Sequence, residues 1–313
     1  MVWITGTATG HLDMFSKLRT HITANGWTVF DYVTAGAAPN QYSMQCKGPG
    51  MGVGYETHFC MRTFANPSSN EYCFEMNGTT DYVSGLGWDD QPGKSPQSIF
   101  MRLWNSTMPY WLSITNRRIL LVIKASNTYH SMHMGFFLPF ANPVEYPYPF
   151  YMASDASYIG TFAEVGANVR SIANPGRNGA FVREPGGVWR SVACNLDADS
   201  QYRSIDNSGY TMWPYLSPSN TSQHNVFNGS QPPQIRMREA PNIPDSLPMV
   251  NVHIVGCADN LGVLGTVEGL FWFTGIGVSA EQTIVNSGQN HKVFIAINRS
   301  GENPAQSYAV LEG

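Results

Sequence analysis

Glycine and proline punctuate this chain so often that only one stretch of it can be read as a long helix. The 313 residues include 30 Gly and 20 Pro. Each costs a helix interior about 1 to 3 kcal/mol, whereas turns between short strands use both freely. The expected class is therefore mainly β (α+β), with β-sandwich-like sheets, one N-terminal amphipathic helix and a small C-terminal β module. The helix is residues 9 to 25, where Leu12, Phe15, Leu18 and Ile22 share a face and Asp13, Lys17, Arg19 and Thr23 fall largely elsewhere. Asn25-Gly26 supplies the left-handed residues that close it. It is read as a cover over a sheet that includes the aliphatic run Ile119 to Ile123.

Strand patterns follow at Trp27 to Val33, Tyr55 to Phe64 and Glu71 to Asn77, the last two joined as a hairpin by turn formers at Asn66 to Asn70. Residues 98–104, 108–115 and 117–126 are read together as the core sheet of the first half. The run Ile119-Leu-Leu-Val-Ile lacks alternation, so burial on both faces is expected, by the helix on one side and a further sheet or subunit on the other. Phe181 to Arg183 and Val188 to Arg190 flank a Pro-Gly-Gly turn and form another hairpin. Residues 249–313 hold four strand-like runs, with Phe271, Phe273, Ile284, Phe294 and Ile295 inward and Trp272 outward. Prolines 241, 244 and 248 precede that region. The expected units are 1–151, the turn-rich 152–244, and 245–313.

Charge narrows the partners. The net charge is −4, with only 18 Lys and Arg, so no basic field exists to condense on nucleic acid. No apolar run approaches the roughly 20 residues of a membrane helix, and the first residues lack the basic leader and apolar core of a secretory signal. Synthesis in a cytoplasm is the corresponding expectation. Cys46, Cys60, Cys73, Cys194 and Cys257 are odd in number, scattered and without a CxxC pair, which points to buried reduced thiols.

The motifs that could carry chemistry fall short of their templates, so no catalytic, cofactor or metal site is assigned. Gly48 to Gly54 reads GxGxG with no helix after it. Gly93-Lys94-Ser95 lacks the upstream glycine of a phosphate loop. His130 and His133 lie on an extended chain and point to opposite sides. Asn195, Asp197 and Asp199 have calcium-like alternation without the glycine and glutamate of an EF-hand. Carboxylate pairs such as Asp89 with Asp90, or Asp197 with Asp199, would serve a glycan hydrolase only if folding set them about 5 to 10 Å apart.

What stands out is Tyr129 to Tyr151, where aromatics and prolines share an extended stretch. Either it wraps its own core or it forms an interface. Tyr146, Tyr148 and Phe150 alternate with prolines and are the candidate contacts, together with Trp272.

Three segments resemble a family of structural proteins of tailed-bacteriophage particles. They are the opening TGTATGHLDMFSKLRTHITANGW, the stretch NRRILLVIKASNTYHSMHMGFFLPFANPVEYPYPFYMAS, and the closing LGTVEGLFWFTGIGVSAEQTIVNSGQNHKVFIAINRSGENPAQSYAVLEG. The resemblance implies a tail, baseplate or neck subunit in a virion, made in the host bacterial cytoplasm. Its partners would be copies of itself and other virion tail, baseplate or neck proteins, with no direct nucleic-acid contact and no membrane span. A host-receptor or glycan-binding adsorption module is the alternative, and a glycan hydrolase a second one.

Overall fold

The computed structural model describes residues 1–36, 38–163, 171–173, 175, 179–192, 210–213, 249–256, 262–273, 278–298 and 301–313. The chain is mainly β, with three antiparallel sheets and one α-helix among these residues. In chain order the elements are β1 (Val2–Ala8), α1 (His11–Ala24), β2 (Thr28–Val33), β3 (Ser43–Gly48), β4 (Thr57–Asn66), β5 (Glu71–Thr79), β6 (Ile99–Arg102), β7 (Met108–Ile114), β8 (Arg118–Ala125) and β9 (Thr128–Phe136). The short β10 (Leu138–Pro139) comes next, followed by β11 (Phe150–Ser154), β12 (Ala180–Arg183), β13 (Trp189–Ser191), β14 (Tyr210–Trp213), β15 (Met249–Gly256), β16 (Val263–Phe273), β17 (Thr283–Asn286), β18 (Gln289–Asn298) and β19 (Gly301–Leu311).

A central seven-stranded sheet runs β1-β7-β8-β9-β11-β12-β13. One of its faces packs on α1 and the five-stranded sheet β2-β3-β4-β5-β6, and the other packs on the C-terminal sheet β14-β15-β16-β19-β18-β17. This is why β8 carries an unbroken apolar run. Ile119, Leu121 and Ile123 enter the first core and Leu120 and Val122 the second, all five with no exposed surface. Both-face burial is thus as expected, and the second cover is a sheet of the same chain.

Helix α1 starts after Gly10, with the Asp13 carboxylate accepting from the Thr9 backbone N–H at 2.8 Å and from Lys17 Nζ at 2.8 Å. Burial opposes this carboxylate's charge, yet these donors outweigh it and hold the group below the usual range. The buried face is His11, Met14, Phe15, Leu18 and Ile22. Leu12, expected inside, is only half-buried and Met14 takes its place. Phe15 meets Phe74 of β5 edge-on at 5.5 Å, so the helix sits on the five-stranded sheet within the core it shares with β8.

The two hairpins read from sequence are present as β4–β5 and β12–β13. Residues 98–104 depart from expectation, because β6 pairs with β5 in the five-stranded sheet instead of joining β7 and β8. The unit boundary expected at 151 falls inside β11, which pairs with β9 and β12. The boundary expected at 244 lies outside the described residues. The C-terminal strands do form a sheet, but its inner face is completed by the central sheet. Phe294 and Trp272 lie in that shared core, while Phe273, Ile284 and Val293 form a smaller cluster with half-buried Phe271 beside it. The side chain of Ile295 is outside the described set.

Two polar clamps join these layers. Arg117 donates to both carboxylate oxygens of Glu268, at 2.5 and 3.3 Å, and Lys124 and Tyr129 both donate to Glu281 at 2.6 Å. Between the sheets, the fully buried Arg118 guanidinium donates to the Ser113 carbonyl, the Ser113 hydroxyl and the Glu268 carbonyl. Burial lowers its pKa to about 10, so it stays charged at neutral pH.

Candidate interaction surface

The aromatic and proline-rich stretch is the natural place to look for a site. The chain leaves the central sheet at the end of β9, where Gly135 has φ +132° and a Cβ would sit 2.3 Å from the Arg117 carbonyl. Only glycine allows β8 and β9 to close at that point. Leu138 and Pro139 then pair with Thr266 and Gly265 of β16, so the stretch bridges two sheets before returning as β11.

Three of the four residues expected at an interface belong instead to the core. Tyr146 is 1% exposed, donates its hydroxyl to the Arg183 carbonyl and meets Phe137 edge-on at 5.6 Å. Phe150 is 1% exposed between Phe136 and Trp189. Trp272 is 1% exposed. The alternation of Phe271, Trp272 and Phe273 is as read, but the deeper side is the one that carries Trp272, because the central sheet covers it. None of these three can reach a neighbour without unfolding. Tyr148 is half-buried, with the Arg183 guanidinium 5.2 Å from its ring centre.

The stretch presents other side chains instead. Phe140 is 65% exposed and Val144 81%. Their backbone is held firmly. The Phe140 N–H donates to the Leu264 carbonyl at 2.9 Å, and the Asn142 side chain accepts from the N–H groups of Val144 and Glu145 at 3.0 and 3.1 Å. This Asx turn holds Val144 outward at fixed geometry. Exposed Val263 lies next to Leu264, and the His253 ring is 6.1 Å from Phe140. Sequence reasoning weighted the aromatic repeat and passed over this knob. The signal that marks it is Asn142-Pro143, a turn initiator immediately before Val144.

Groups that could do chemistry are tied down. His130 and His133 point to opposite faces of β9, as expected, and both are fully buried. His130 Nδ1 lies 2.8 Å from Asp155 Oδ2 and its Nε2 lies 3.1 Å from the Phe162 carbonyl. Both ring nitrogens of His130 are therefore engaged, one with a carboxylate and one with a backbone carbonyl. Burial, with the Arg118 charge adding to it, lowers the His133 pKa to about 3, so this ring is neutral. Burial also raises the Cys60 and Cys73 thiols to about 12 and Cys46 well above its usual value. All three are free and buried, which leaves them without the thiolate a nucleophile needs. Cys194 and Cys257 lie outside the described residues, as do Asn195, Asp197 and Asp199.

No protein-family model matches the chain, and no curated protein does. Asp89 is bound to Lys94 at 2.6 Å on an exposed turn. Gly48 ends β3, residues 49–54 lie in the loop leading into β4, and no helix follows that loop directly. Among the described residues, no group of three or more His, Cys, Asp or Glu is placed to hold a metal ion. No described helix is long and apolar enough to cross a membrane.

Proposed function

We propose that this chain is a non-enzymatic structural subunit of a bacteriophage particle, of the tail or baseplate, located in the virion. It assembles with copies of itself and with other tail, baseplate or neck proteins. The observation that carries the reading is the exposure of Phe140, Val144 and Val263, the first two on backbone held by hydrogen bonds, in a chain of low charge content. Exposed apolar side chains held in fixed backbone geometry lose little entropy on docking. The resemblance of both ends and of the β8 to β11 stretch to phage structural proteins supplies the particle. The test is Phe140→Ser with Val144→Ser in particles assembled from the variant. The melting transition should stay within about 0.5 kcal/mol of the parent, while the subunit is lost from particles. Normal incorporation overturns the reading.

A second reading, a glycan-binding adsorption module, is favoured by one observation. Phe30 and Tyr82 stack at 4.3 Å with an interplanar angle of 4°, both half-exposed, with Asp31 accepting from the Tyr82 hydroxyl. Saturable quenching of protein fluorescence by host surface glycans, abolished by Tyr82→Ala, would favour that module over the subunit.

A further inference from the structure

The central sheet ends at β1, and β1 differs from every other edge strand described. β2 is bulged, with Asp31 at φ +46° and a register break between Phe30 and Val33. β13 has three residues, while β6, β14 and β17 have four each. β1 pairs with β7 over seven consecutive residues, Val2 to Ala8, without a break. Residues 1 to 10 contain no charged side chain and no proline. Natural sheets protect long edges with charges, prolines, bulges or short strands, and this edge has none of these. No described strand pairs with its outer side.

We infer that β1 pairs antiparallel with β1 of a second copy across a two-fold axis at Thr5, joining two central sheets into one. An exposed strand edge offers alternating N–H and C=O groups with which another extended chain can pair, and two features favour an identical copy. With Thr5 opposite Thr5, all seven residues pair, Val2 with Ala8, Trp3 with Thr7 and Ile4 with Gly6, so each large side chain meets a small one. Like strands without charge do not repel. Over Gly6 itself the Tyr110 ring, held by His21 at 2.9 Å, fills the space a side chain would take. Trp3 and Ile4 are both only half-buried, one packed toward each core, so apolar surface remains on both faces of the edge.

The inference rests on the edge alone and does not need the particle reading. It is tested by sedimentation over a concentration series, in the parent chain and in the Phe140→Ser, Val144→Ser background, where association through the knob is removed. The expected result is a dimer in both. Thr5 is exposed, so Thr5→Lys should leave melting unchanged in protein dilute enough to be monomeric and weaken the dimer about 100-fold or more, from like charges meeting on the axis. Mixing Thr5→Lys with Thr5→Glu chains should restore it. On oxidation, Thr5→Cys should form a covalent dimer while Thr20→Cys, on the exposed side of α1, does not. A monomer at all concentrations, a dimer unaffected by Thr5→Lys, or one lost in the Phe140→Ser, Val144→Ser background overturns the inference. So would equal cross-linking at positions 5 and 20.

Discussion

Replacing His133 with Gln should remove a defined part of the acid sensitivity of this fold. His133 has no exposed surface. Its Nδ1 sits 3.1 Å from the Tyr151 carbonyl, which fixes the proton there, and its Nε2 is buried without a hydrogen-bond partner. Protonating Nε2 would place an unsolvated charge close to the Arg118 guanidinium. The folded pKa is accordingly about 3 against 6.5 for the free side chain. Between those values the unfolded chain binds the proton and the folded chain does not, so stability rises with pH across the window and is complete above about 6.5. At pH 4 the unfolded state is favoured by about 3 kcal/mol relative to pH 7 through this residue alone. Gln keeps a donor for Tyr151 and cannot titrate. The assay is chemical denaturation of both proteins at pH 7, 5.5 and 4. His11, His58 and His253, whose pKa values burial also lowers, are present in both chains and cancel in the difference. The parent should lose about 3 kcal/mol more than the variant between pH 7 and pH 4. Parallel stability curves would refute the account, showing that acid reaches the ring through water or local opening.

Three further outcomes follow from the packing. Leu18→Ala should cost about 2 to 5 kcal/mol in a denaturant melt, whereas Leu12→Ala, on the half-buried flank of α1, should cost clearly less. Glu268→Gln should lower stability by about 1 to 3 kcal/mol, read in the same melt, because it takes the counter-charge from Arg117 and from the buried Arg118. The thiols of Cys46, Cys60 and Cys73 should resist a thiol-specific reagent at pH 8 in the folded state and react at once in denaturant, since burial keeps them protonated.

Local pattern was enough for much of this protein. The Gly and Pro spacing excluded a helical fold, the 3.6-residue repeat located α1, turn chemistry located the β4–β5 and β12–β13 hairpins, and the unbroken Ile119 to Ile123 run required cover on both faces. All of these are set by residues close in sequence. Several strands were not legible, β1, β3 and β19 among them. β1 and β3 are mixed in polarity, and β19 holds Asn303 and Pro304 within its run, so none alternates cleanly enough to declare itself. The side chains that reach the surface were also hidden, for a different reason. Alternation separates the two faces of a strand but does not say which face a distant sheet will cover. The central sheet buries Trp272, the five-stranded sheet covers Phe150, and the Arg183 carbonyl holds Tyr146 inside. Phe140 and Val144 stay outside because an Asx turn at Asn142 carries the chain around the sheet edge. Which aromatic residue is core and which is exposed was therefore decided by contacts distant in sequence, such as the pairing of Leu138 with Thr266.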